Sequence, residues 1–127
     1  MVKFEVSGVT FELVEGGVCA EVLSVLESAE KHIEWLKSHS YEDKNKDGYN
    51  WRILDDLVDK SFYYEEYEPF HDALYTAYRI ISHLEDDLYR EYAMDDFLEY
   101  QSHMNEPDFD WGFYSDWHKD IYGFRPR

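Results

Sequence analysis

A change of hydrophobic period after residue 13 decides the fold class of this chain. In VKFEVSGVTFELVEGG, Val2, Phe4 and Val6 alternate with polar residues, and Val9, Phe11 and Leu13 repeat the alternation. That period of two is what a half-buried strand requires. With Ser7-Gly8 as a two-residue turn, Val6 faces Val9, Phe4 faces Phe11 and Val2 faces Leu13, while Lys3 opposes Glu12 on the other side. A lone hairpin is marginally stable, so its apolar face must rest on helices. Beyond Gly16-Gly17 the spacing turns helical. The pattern predicts an α+β fold, an N-terminal β-hairpin packed on a mostly α-helical body of four to five helices.

The first helix is predicted over VCAEVLSVLESAEKHIEWLKS, with Val22, Leu26, Ala29, Ile33 and Leu36 as its buried stripe. A polar loop, residues 38–49, leads to a short helix from about Trp51 to Lys60 with Asn50 as its cap. The connection SFYYEEYE reaches Pro69, which suits a helix start. From Asp72 to Tyr92, Leu74, Ala77, Ile81, Leu84 and Leu88 recur at helical spacing. Continuing that row would bring Asp95 and Glu99 into the apolar stripe. A break near Ala93-Met94 is therefore expected, with a separate short helix to about Met104. After Pro107 comes an irregular stretch, EPDFDWGFY, and then a last helical turn, DWHKDIY, capped by Ser115 and closed by Gly123. No repeat or linker divides the 127 residues, so one domain is expected.

The single Cys19 excludes a disulfide framework and suits a reducing compartment, where its place is that of a small buried hydrophobe. No apolar run approaches a membrane span, and MVKFEVSGVTFE does not read as a signal peptide. A soluble cytoplasmic protein is expected. The net charge of −17 argues against binding nucleic acid directly or an anionic membrane, and favours basic partners. The charge is uneven. Residues 53–118 carry eighteen acids against Lys60, Arg79 and Arg90, whereas residues 1–52 carry ten acids and six bases.

Residues 41–56, YEDKNKDGYNWRILDD, resemble a calcium loop, with Asp43, Asn45, Asp47 and Gly48 at its first, third, fifth and sixth places. The bidentate glutamate that completes such a shell is missing, since Leu54 stands at the twelfth place. These residue types are good turn formers, and a plain loop is expected, with no cofactor. Glu99 and His103, one turn apart, invite a shared metal, but a solvated helix face accounts for them. No GxSxG, HExxH or phosphate loop is present, and no constellation asks for an enzyme.

The remaining signal is acid interleaved with aromatics, in YYEEYE, EDDLYREYAMDDFLEY and EPDFDWGFYSDW. Seven acids, Glu85, Asp86, Asp87, Glu91, Asp95, Asp96 and Glu99, fall within fifteen residues. On a helix that is about one charge per 3 Å, close to the spacing of phosphates along one DNA strand. The expected contact surface comprises these seven with Glu65, Glu66, Glu68, Asp108 and Asp110, anchored by Tyr64, Tyr67 and Trp111, since rigid aromatics give contact area at little entropic cost. Tyr63, Tyr64 and Tyr67 are expected to be exposed; Tyr78, Leu88 and Phe97 are expected to pack inside.

Small size, acidity, helical carboxylate clusters and many aromatics together resemble phage-encoded DNA-mimic inhibitors of the anti-restriction and anti-CRISPR type. WHKDIYGFRPR is similar to the endings of small phage proteins. The resemblance implies an inhibitor that occupies the nucleic-acid-binding surface of a host defence nuclease or its DNA-recognition complex. The same acids would also serve an immunity protein or antitoxin blocking a basic nuclease toxin. An adaptor whose acidity provides solubility, a calcium-dependent module and an enzyme rank below these. The basic RPR end is expected either to tie down on the acidic body or to be disordered.

Overall fold

The structure, a computed structural model, describes residues 1–123. Two antiparallel strands, β1 (Val2–Val6) and β2 (Val9–Leu13), are followed by helices α1 (Cys19–Ser38), α2 (Trp51–Tyr63), α3 (His71–Gln101) and α4 (Trp111–Tyr122). Short 3₁₀ turns at Tyr41–Asp43 and Glu68–Phe70 lie between helices. The fold class is thus α+β, a hairpin with a helical body. No described helix is long and apolar enough to cross a membrane. The chain divides into two compact units, Met1–Glu85 and a second beginning at Asp86, with α3 contributing to both.

In the first unit the hairpin has the expected register, Val2 with Leu13, Phe4 with Phe11 and Val6 with Val9. Ser7 and Gly8 turn the chain with φ of 46° and 87°, and two successive positive values are what a two-residue turn of matching twist demands. The apolar face is unevenly used. Val6 and Leu13 are buried while Val9 remains half-exposed. The turn is fastened to α1, since the Ser7 N–H donates to Glu30 Oε1 at 2.9 Å. The α1 stripe is buried as expected and also includes His32. Helix α2 starts where Asn50 accepts from the Arg52 N–H at 3.1 Å. It runs one turn further than expected, to Tyr63, because Val58 and Ser61 continue its buried row. Against these pack Phe70, Ala73, Leu74, Ala77 and Ile81 of the next segment.

The break expected near Ala93-Met94 is absent. Helix α3 is continuous to Gln101. Burial passes from the Leu74–Ile81 row to Ala93 and Phe97, so Asp95 and Glu99 stay exposed and nothing forces the backbone to break. In the second unit Ala93, Phe97, Tyr114 and Ile121 form the core, with Met94, Tyr100, Met104, Phe109 and Trp117 packed around them. Phe97, fully buried, stacks on Tyr114 at 5.5 Å and meets the edges of Trp117 and Tyr122.

Helix α4 also starts earlier than expected. Asp110, not Ser115, is its cap, accepting from the Phe113 N–H at 2.9 Å, so the last four residues of the stretch expected to be irregular are helical. Gly123 closes it at φ 82°, the left-handed conformation a glycine cap supplies. The expectation for the RPR end lies outside the described residues.

Candidate protein-interaction surface

The acids singled out from sequence fall into separate groups. Glu65, Glu66 and Glu68 are exposed on the turn between α2 and α3, beside Tyr64. Tyr63 is also exposed, but Tyr67 is only partly so, because its hydroxyl donates to Glu21 at 3.0 Å. Asp108 and Asp110 are exposed ahead of α4, and Asp110 is engaged in capping. Trp111, 56% exposed, rests its edge on Phe109 and Tyr114. Tyr78 is not interior as expected; it is 38% exposed.

The second half of α3 carries the ordered part. Asp87, Glu91, Asp95 and Glu99 are all exposed and recur at every fourth residue. Successive members lie about 6 Å apart along the axis and about 40° apart around it. Their mean direction is roughly 160° from that of buried Ala93 and Phe97, so the row faces away from the core of its own unit. Among the described residues none of the four makes an ion pair with Lys or Arg. From Asp86 to Gly123 the chain has eleven acids against Arg90 and Lys119.

The other three acids of the seven do not join the row. Asp86 projects from the same direction as Ala93 and Phe97, although it is exposed. Asp96 lines a shallow depression with Tyr89, Tyr92 and Trp117. Glu85 belongs to the first unit and is partly withdrawn, its carboxylate 3.7 Å from His32. The charge spacing along the row is therefore about 6 Å rather than 3 Å.

The loop resembling a calcium site uses its carboxylates otherwise. Asp43 Oδ1 receives Lys46 Nζ at 2.7 Å and its Oδ2 receives Ser40 Oγ at 3.1 Å, an arrangement that lowers its carboxyl pKa. Asp47 Oδ2 lies 2.7 Å from His32 Nδ1, its Oδ1 accepts from the Tyr49 N–H, and Asn45 is exposed. Among the described residues no group of three or more His, Cys, Asp or Glu side chains is arranged to hold a metal. His103 pairs with Glu106 at 2.7 Å, not with Glu99.

His32 is the titratable group that sequence reasoning passed over. It is 1% exposed, lies between Asp47 and Glu85, and stacks on Tyr49 at 4.1 Å and 12°. Burial acts to lower its pKa, but the nearby Glu85 carboxylate and the hydrogen-bonded Asp47 carboxylate outweigh burial, and the net shift is upward. Burial, with the charges of Glu85 and Asp47, pushes the Tyr49 hydroxyl well above its ordinary range. The signal was available: His32 stands three residues after Ala29 and four before Leu36, inside the apolar stripe of α1. No family model, curated protein or solved structure matches the chain.

Proposed function

We propose that this protein is an inhibitor that occupies the nucleic-acid-binding surface of a basic protein, of the kind represented by a host defence nuclease or its DNA-recognition complex. The observation that carries the proposal is the acidic row of α3, Asp87, Glu91, Asp95 and Glu99, exposed on the side away from Phe97. Like charges one turn apart destabilise a helix. Carboxylates near a helix C-terminus also oppose its dipole, and the last turn of α3 holds no base to offset them. Fold stability therefore gives no reason for the row, whereas a cationic partner does.

In this mechanism Arg and Lys side chains that hold phosphates form charge-assisted hydrogen bonds to the carboxylates instead, and DNA is excluded by competition. The row follows one strand of charge at a reduced density, which favours imitation of a short phosphate track over that of a whole duplex.

Affinity capture from the host cell at low and at high salt tests the proposal, with the D87N/E91Q/D95N/E99Q variant as control. A DNA-handling protein retained by the parent chain at low salt, released at high salt and not retained by the variant is the expected result. A partner held equally by the variant, or held independently of salt, rules it out.

A further inference from the structure

The first unit carries a second surface whose chemistry differs from that of the acidic row. A groove of about 740 Å³ runs between α2 and α3, with Asp55, Asp59, Ile53, Phe62, Tyr75 and Tyr78 among its lining residues. Phe62, Tyr75 and Tyr78 are 61%, 40% and 38% exposed. They belong to a ladder of rings: Phe62 meets His71 edge-on at 4.5 Å, His71 stacks on Tyr75 at 5.5 Å, and Tyr75 stacks on Tyr78 at 6.2 Å.

The ladder is held in place. Ser61 is buried and donates its one hydroxyl hydrogen to the Val58 carbonyl, so His71 Nδ1 is the donor across the 2.7 Å contact with Ser61 Oγ. That bond orients the imidazole, and through it the rings on either side.

From this groove we infer that the first unit docks an arginine-bearing segment of a partner protein, guanidinium groups lying on the ring faces and forking onto Asp55 and Asp59. Three observations select that occupant. Asp55 and Asp59 stand one turn apart on α2, both exposed, and neither is paired with a described Lys or Arg; Asp56 is the member of this group that holds a base, Lys60 at 3.3 Å. The chain's own Arg79 places its guanidinium over the Tyr75 ring at 6.0 Å, so a ladder face accepts this group. Ile53, half-exposed, gives the aliphatic stem of the guest an apolar wall. Arg52 is the opposing charge on the lining, and it leans over the Trp51 ring at 5.6 Å. A planar guanidinium both stacks on rings and binds carboxylates bidentately, which an ammonium does not, so arginine is preferred to lysine.

The inference stands apart from the inhibitory proposal, since it uses other residues in another unit. The test is an amide chemical-shift titration of the full chain, at physiological salt, with a capped peptide alternating Arg and Leu. The same peptide with Lys for Arg is the comparison. Shifts are expected within residues 52–62 and 71–79, with the Arg peptide binding several-fold more tightly. Phe62→Leu and Tyr75→Leu keep apolar bulk and remove the ring face; together they should weaken binding by about tenfold. D55N/D59N should weaken it comparably, while D95N/E99Q should leave it within about twofold. These are exposed positions, and unchanged amide spectra elsewhere verify that the variants fold. Absence of binding, equal affinity for the two peptides, shifts centred on residues 86–99, or indifference to the Leu variants would each overturn the inference.

Discussion

At the scale of single residues, His32 ties three parts of the chain together: α1, on which it sits, the loop that supplies Asp47 and Tyr49, and α3, which supplies Glu85. Its folded pKa is raised. A histidine so shifted contributes stability that is complete below its unfolded pKa, about 6.5. That contribution is lost as pH climbs through the higher folded value. Chemical denaturation of the parent chain should therefore show a midpoint that falls as pH rises from about 6 into the alkaline range. The groups facing His32 are Asp47, Glu85 and the Tyr49 ring, so D47N/E85Q should flatten the profile over that window. Parallel profiles for the two proteins would mean that His32 is already neutral in the fold. Asp47→Asn alone should cost about 1.5–3 kcal/mol below neutral pH, the range for a hydrogen bond to a charged group. The calcium-like motif takes its meaning from this contact. Asp43, Asn45, Asp47 and Gly48 sit at the spacing of a metal loop, but that spacing carries no information about a histidine eleven residues earlier in the chain than Asp43. Asp47, at the fifth place of that spacing, contacts His32 instead.

At the scale of elements, the acidic row and its helix pull against each other. Each like-charged pair at i,i+4 costs a helix about 0.2–0.5 kcal/mol, and the row contains three. Neutralising it with D87N/E91Q/D95N/E99Q should raise the melting temperature at low salt while weakening capture of a basic partner. Added salt should raise the melting temperature of the parent more than that of the variant. A variant that melts lower would mean that these carboxylates support the fold through contacts of their own. The cap of α4 gives a cleaner stability test: Asp110→Ala removes the acceptor for the Phe113 N–H and should cost about 1 kcal/mol. Where the elements lie was largely legible from sequence, because periodicity and caps are local. The hairpin register, the α1 stripe, the Asn50 cap and the Gly123 closure follow from residues within a few places of one another. The continuity of α3 was not legible. Its apolar row ends near Leu88, and only the rings of α4, brought in by tertiary folding, make Ala93 and Phe97 the buried pair instead. The early start of α4 was hidden for a related reason, since both Asp110 and Ser115 are competent caps.

For the molecule as a whole, the uneven charge coincides with an uneven distribution of core. Among the described residues the second unit, which holds the acidic row, buries four side chains, Ala93, Phe97, Tyr114 and Ile121, whereas the first unit buries seven residues of α1, four of α2, and Val6 and Leu13 of the hairpin. A segment of only about 40 residues with so small a core is marginal on its own, and regions with few buried contacts open first. Phe97 lies at the centre of that small core, in ring contact with Tyr114, Trp117, His118 and Tyr122. Phe97→Ala should cost about 3–5 kcal/mol through lost burial and the cavity left behind, a large share of what a small domain has in total. Hydrogen exchange locates the loss. Amides from Asp86 to Gly123 should lose protection in Phe97→Ala while those of α1 and α2 keep theirs, because Leu26, Ile33, Leu57 and Leu74 are untouched. Equal loss of protection in α1 and α4 would instead mean that the chain unfolds as one cooperative body. In the two-step outcome a basic partner bound to the acidic row should restore protection to residues 86–123 in proportion to its concentration over Kd. That recovery would link the order of the second unit to binding of the proposed partner.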